Sequence, residues 1–178
     1  MKSMIWGNSA MEKIFKEENG NFMIDCSSAL WATDKLHEQY QAAQCSLSDV
    51  DWILETDGKI VLVEYKNANV AGAQNPEAFK PKEEKVIDKV VKKFYDSLHY
   101  LILLGKTKPK EYVYILEHPN GDSVSRKMIR NRMKSKLPFL LQENVGEGRK
   151  LIEKLDVLSI DEWNANERYC EFPIMPCE

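Results

Sequence analysis

Hydrophobic residues along this chain follow two periods, and the switches between them mark out its elements. From Asp49 to Asn67 two short apolar stretches, Trp52-Ile53-Leu54 and Ile60-Val61-Leu62-Val63, flank Asp57-Gly58. That pattern predicts a β-hairpin whose strands are buried on both faces. From about Pro81 to Leu104 the spacing becomes helical, with Val86 or Ile87, Val90, Phe94, Leu98 and Leu101 on one stripe. Pro81 suits the first helical position, Glu83 and Glu84 the first turn, and Gly105 the stop.

The remaining segments are shorter. Ser9 to Glu18 reads as a helix with Ile14 and Phe15 inward, ended by Asn19-Gly20-Asn21, and Phe22 to Cys26 as a strand. Thr33 to Gln44 predicts a second helix with Thr33 as N-cap. Tyr112 to Glu117 predicts a strand closed by the turn Pro119-Asn120-Gly121. Ser123 or Ser125 would cap a basic helix reaching Lys136, and Leu155 to Ile160 reads as a late strand near Trp163. This order of strands and helices predicts an α/β fold around a mixed sheet, with all 178 residues in one domain.

Composition narrows the function classes. No apolar run approaches the roughly 20 residues that span a bilayer, and no signal peptide is evident, so a cytoplasmic protein is expected. Cys26, Cys45, Cys170 and Cys177 lack zinc-ligand spacing and read as reduced small hydrophobes. His37, His99 and His118 are scattered and read as non-catalytic. The net charge of −3 does not suggest a nucleic-acid binder, but its distribution is uneven. Lys106 to Lys136 holds nine basic and three acidic residues, a local +6 that leaves −9 elsewhere. Arg126, Lys127, Arg130 and Lys134 recur at near-helical spacing, a candidate nucleic-acid-binding face.

The hairpin register carries the chemical argument. If Asp57-Gly58 is a two-residue turn, Thr56 faces Lys59 and Ile53 faces Leu62, which puts Asp51 opposite Glu64 and Asp49 opposite Lys66. Alternation then sends all four charged side chains to the Ile53 and Leu62 face. Two carboxylates about 5 Å apart repel by roughly 3 kcal/mol at an effective dielectric of about 20. A divalent cation between them turns that repulsion into attraction, and hard oxygen ligands suit Mg²⁺. The alternative is an edge strand ending in solvated charges, with Lys66 paired to Asp49.

At these residues the chain resembles the PD-(D/E)xK nuclease-like, or restriction endonuclease-like, superfamily. The motif is Asp51 leading Trp52-Ile53-Leu54, a tight turn, then a strand ending Glu64-Tyr65-Lys66. The resemblance extends over about Leu47 to Leu116, and Val50 stands where the family commonly has proline. It implies a mixed β-sheet flanked by helices. It also implies Asp51 and Glu64 as ligands of Mg²⁺ or Mn²⁺, the Tyr65 carbonyl as a third, and Lys66 acting on the attacking water and on charge at phosphorus. An accessory acid on a preceding helix is expected among Glu12, Glu17 and Glu38, with Asp49 also near the site, and an accessory base at Lys89 or Lys93. The resulting expectation is a metal-dependent deoxyribonuclease acting alone, as a homodimer or with a partner protein. The alternatives are an inactive nucleic-acid-binding or assembly module, or an RNA-directed nuclease.

Overall fold

The computed structural model describes residues 13–69 and 75–177. It is a mixed α/β structure built on a five-stranded sheet and a three-stranded one. The large sheet runs in the order β3 (Trp31–Thr33), β4 (Trp52–Glu55), β5 (Ile60–Asn67), β6 (Lys110–Glu117), β7 (Lys154–Leu158). The first three strands are antiparallel neighbours, and β5, β6 and β7 are parallel. Parallel neighbours need long crossovers. α2 (Glu84–Leu103) supplies one, and α3 (Ser123–Lys136) with α4 (Phe139–Val145) the other.

The hairpin has the register expected of it. Trp52 faces Val63 and Ile53 faces Leu62. The Thr56 amide donates to the Lys59 carbonyl at 2.9 Å, and the Thr56 hydroxyl accepts from the Lys59 amide at 3.2 Å, which closes the turn. One sheet face presents Ile53, Ile60, Leu62, Tyr112, Tyr114, Leu155 and Val157 to α1 (Leu36–Ala42), α2 and α3. The opposite face presents Trp52, Leu54, Val61, Val63, Val113 and Ile115 to Ile24, Trp163, Tyr169 and Phe172. Among the latter, Trp163 belongs to α5 (Ile160–Asn164) and stacks on Tyr169 with ring centroids 4.6 Å apart.

Several boundaries differ from the sequence expectation. Ser9 to Glu12 lie outside the described residues, but the rest of the expected first helix is strand β1 (Ile14–Lys16). It pairs with β2 (Phe22–Asp25), which also pairs with β8 (Ile174–Pro176), so a sheet partner overrides a weak helical preference. Gly20, at φ +70°, makes the tight connection between β1 and β2. Thr33 ends β3 instead of capping α1, which starts at Leu36. Pro81 precedes α2 by a turn, and that helix starts at Glu84 with Glu83 at its N-cap. Its stop is as expected: Gly105 at φ +66° donates to the Ile102 carbonyl, and Lys106 to the Leu101 carbonyl. Asp122, rather than either serine, caps α3 by accepting from the Ser125 amide at 2.6 Å. β6 begins earlier, at Lys110, and β7 ends at Leu158 because Ser159 and Glu162 form a capping box for α5.

At the end of the sheet nearest the hairpin turn, Glu111 and Asp156 are buried on neighbouring strands. The Tyr169 hydroxyl reaches both, at 2.9 Å from Glu111 Oε2 and 3.1 Å from Asp156 Oδ2. Lys59 and Arg168 pair with Glu111, and Lys154 pairs with Asp156. Burial works to raise the Glu111 carboxyl, but these donors hold it below its ordinary value. Its contribution is therefore present above the unfolded carboxylate pKa and lost as pH falls through the folded one. We predict that Tyr169→Phe, which removes the shared donor, lowers unfolding stability by about 1–2 kcal/mol in urea titrations at neutral pH. No change would mean that the cation pairs alone satisfy both carboxylates.

Candidate active site

The polar site lies at the opposite end of the hairpin, where α2 holds the chain entering β4. The Ser48 amide donates to Asp96 Oδ2 at 2.7 Å, and the Val50 amide to Ser97 Oγ at 3.1 Å. These contacts fix the backbone on either side of Asp49 and lead directly into Asp51. One residue beyond the last ladder pair, the Asp51 side chain takes over from the strand: Oδ2 accepts from the Tyr65 amide at 2.7 Å. In an extended strand the N–H and C=O of one residue point to the same side. The Tyr65 carbonyl therefore also opens toward Asp51.

Glu64 sits on the α2 face, paired in register with Tyr114 of β6. It is only 6% exposed, which removes the reading of a solvated strand end. Its counter-charge is Lys93 of α2, whose ammonium lies 2.7 Å from Oε1 and 2.9 Å from Oε2. Burial, then the Asp51 charge beside it, push the Glu64 carboxyl well above its ordinary range. Burial also raises Asp51, against the pull of Lys93 and the Tyr65 amide. For Lys93 burial disfavours the charge, but Glu64 and Asp51 outweigh it and hold the ammonium above its usual value. The group is one coupled unit of two acids and one base.

Asp49, Asp51 and Lys93 line a cleft of about 590 Å³, together with Glu17, Asp34 and His37. Asp49 does not pair with Lys66; its Oδ1 lies 3.1 Å from His37 Nδ1, and Gln41 holds the other ring nitrogen at 2.8 Å. The sequence reads His37 as non-catalytic and gives Asp34 no role. The only signal for His37 was its place one turn before Gln41 on a helix leading to the hairpin. Glu17 is largely consumed, since its carboxylate accepts from the Asn19 and Asn21 amides.

The other expected site residues divide clearly. Lys93, not Lys89, faces the carboxylates; Lys89 is exposed on α2. Glu38 is exposed and paired with Lys35 at 2.9 Å, outside the cleft lining. Lys66 is exposed, with its ammonium 5.7 Å from the Phe79 ring centroid, and also lies outside that lining. Arg126 leaves the expected basic face altogether. It shares the α3 core stripe with Ile129 and Met133, is buried, and makes a two-pronged pair with Glu162 at 2.8 Å for each contact. Arg132 and Lys136 pair with Glu84 of α2. Lys127, Arg130 and Lys134 form no ion pair among the described residues and share one helical face by their i, i+3, i+7 spacing.

Asp51 and Glu64 are oxygen donors of the kind a hard divalent cation takes, but Glu64 is not among the residues that line the cleft. No cluster of three or more His, Cys, Asp or Glu side chains forms a metal group among the described residues. The Lys93 ammonium occupies both Glu64 oxygens, a positive charge at the place a cation would take.

Asp51→Asn removes a carboxylate whose pKa the fold raises. Ionised Asp51 therefore costs stability that the protein recovers only as pH falls toward the unfolded value. In chelator at neutral pH we predict that Asp51→Asn stabilises the protein by about 1 kcal/mol, a rise of about 2–4 °C in Tm. Saturating Mg²⁺ should reverse that order by stabilising the wild type more. Calorimetric scans in both buffers check this, and equal shifts in the two proteins would remove Asp51 from the metal site.

No helix among the described residues is long and apolar enough to cross a membrane. No family model matches this chain, and no curated protein or solved structure is similar enough to be matched with it.

Proposed function

We propose that this chain is a metal-dependent phosphodiesterase of the PD-(D/E)xK nuclease-like type, acting on DNA. The observation that carries the reading is the proximity of Asp51, which immediately precedes β4 and lines the cleft, to the buried Glu64 of β5, whose partner Lys93 also lines that cleft. Supporting it are the long helix and parallel strand that follow the hairpin, as in the restriction endonuclease-like arrangement. A fold has no need of two mutually repelling carboxylates at such a place for its stability.

In this reading Asp51, Glu64 and the Tyr65 carbonyl hold Mg²⁺ or Mn²⁺, which supplies a lowered pKa for bound water and charge neutralisation at phosphorus. The chain's own residues do the rest. Lys93 balances the charge of Glu64 and, as part of the cleft lining, would be within reach of a phosphate bound there. Lys66, exposed and without an acidic partner among the described residues, has by the resemblance the role of stabilising charge developing on phosphorus, although it lies outside the cleft lining. His37, oriented by Asp49 and Gln41, stands at the cleft wall. Lys127, Arg130 and Lys134 contact phosphates farther along the strand.

One observation favours a second reading, a nuclease-like module that binds without cutting. Both Glu64 oxygens are already satisfied by Lys93, so Glu64 has its counter-charge without metal. Titration calorimetry separates the two. For an enzyme, Lys93→Ala should tighten Mg²⁺ binding severalfold by removing a competing cation, whereas Glu64→Gln should weaken it at least tenfold. Lys66→Ala should abolish Mg²⁺-dependent cleavage of plasmid and single-stranded DNA while leaving the Mg²⁺ affinity near wild type. A wild type that binds neither Mg²⁺ nor Mn²⁺ would leave the module reading.

The binding face has its own test. Reversing the charge of Lys127, Arg130 and Lys134 should reduce the salt dependence of duplex-DNA affinity by about 0.9 for each phosphate that is no longer neutralised. Arg126→Glu should instead unfold the protein through its pair with Glu162. An unchanged slope in the triple variant would put the nucleic acid elsewhere.

A further inference from the structure

The segment after α3 presents a surface that the candidate site does not use. No residue of α4 is buried, and its Leu141 and Val145 are 58% and 67% exposed. Their i, i+4 spacing puts them on one helical face. With Pro138 and Leu151, the latter 47% exposed, they line a groove of about 400 Å³ between α4 and residues 149–151. A helix of seven residues is marginal by itself and is ordinarily held by the packing of its apolar face. Here that face is turned outward.

The groove is preformed. The chain on either side of it is anchored in the core by Leu137 and Ile152. Between these anchors the Gln142 side chain ties the helix to the returning segment: Nε2 donates to the Ile152 carbonyl at 2.8 Å, and Oε1 accepts from the Leu151 amide at 3.0 Å. Gly146 lets the chain turn back this closely, because a Cβ there would collide with the carbonyl oxygens of Gln142 and Arg149. Leu141, Val145 and Leu151 are therefore held in place while exposed, at a cost in hydration that burial against a partner would recover.

Charge at the rim selects the partner. Glu147, just past α4, and Arg149, on the returning segment, both line the groove and are exposed. Neither forms an ion pair among the described residues, with the other or elsewhere, while Lys150 beside them pairs with Glu153 at 3.1 Å. A partner carrying one sign of charge would be repelled by half of this rim. A second copy is not, if a two-fold axis runs along the groove: Glu147 of each copy then meets Arg149 of the other, and the aliphatic side chains close on one another. We infer that the α4 groove is a self-association surface covered by a second copy of this chain. The inference goes beyond the phosphodiesterase reading and stands independently of it.

The test is sedimentation equilibrium of the full chain from about 1 to 200 µM. A few aliphatic side chains make a smaller contact than a standard interface, so the wild type should dimerise with a dissociation constant on the order of 10 µM. The double variant Leu141→Glu, Val145→Glu should stay monomeric throughout, with an unchanged circular dichroism spectrum because both positions are exposed in the single chain. Arg149→Glu and Glu147→Arg should each weaken self-association at least tenfold, since two-fold symmetry makes every reversed charge act twice. An equimolar mixture of these two variants restores both attractive pairs and should dimerise about as well as the wild type, a recovery that no folding defect would give. A wild type that is monomeric at the highest concentration overturns the inference. A dimer that persists in the Leu141→Glu, Val145→Glu variant puts the interface elsewhere, and a mixture that stays monomeric overturns the reciprocal pairing on which the choice of partner rests.

Discussion

The ion pair between Glu64 and Lys93 is the constraint on which the rest of the candidate site depends. It joins the third strand of the sheet to the helix that covers it, at a place almost closed to water. Ionising a buried carboxylate alone would cost several kcal/mol, so the ammonium has to be held where it is. α2 does this by packing Ile87, Val90, Phe94, Leu98 and Leu101 into the core and leaving Lys93 one residue short of Phe94. The same helix, one turn on, uses Asp96 and Ser97 to hold the segment that delivers Asp49 and Asp51. Strand register and helix packing thus converge on one polar cluster, and neither alone would assemble it.

The two ends of the sheet treat buried charge in opposite ways. Near the hairpin turn, Glu111 and Asp156 are surrounded by Lys59, Lys154, Arg168 and the Tyr169 hydroxyl, and the Glu111 carboxyl stays below its ordinary range. At the far end, Asp51 and Glu64 share one half-buried lysine, and both carboxyls are pushed upward. The first arrangement has donors to spare and anchors the C-terminal segment to the sheet. The second has too little positive charge for its acids, and pKa shifts from that imbalance cluster where proteins bind metals or move protons.

The basic helix shows how packing redistributes charge that looks uniform in sequence. Along α3 the core takes every third or fourth residue, and Arg126 falls on that stripe with Ile129 and Met133. Its guanidinium survives burial only because Glu162 of α5 meets it with both oxygens. Arg132 and Lys136 turn toward acids of α2. Of the α3 cations, Lys127, Arg130 and Lys134 form no ion pair among the described residues.

The hairpin and its opposed Asp51 and Glu64 were legible in the chain because strand alternation and a two-residue turn are local rules. Together they set register without knowledge of anything else. The long helix and its glycine stop were legible for the same reason. Lys93, rather than Lys89, as the neighbour of Glu64 was not, since four residues separate them on nearly one helix face and only the seating of α2 on the sheet chooses. The pairing of Asp49 with His37 rather than Lys66 depends on where α1 docks. Strand β1 read as helix because its partner, Phe22–Asp25, gains a second neighbour only from Ile174–Pro176 at the other end of the chain. Periodicity in a sequence determines which face a side chain takes; what waits on the other side of that face is settled by contacts far apart in the chain, and those exist only once the layers have packed.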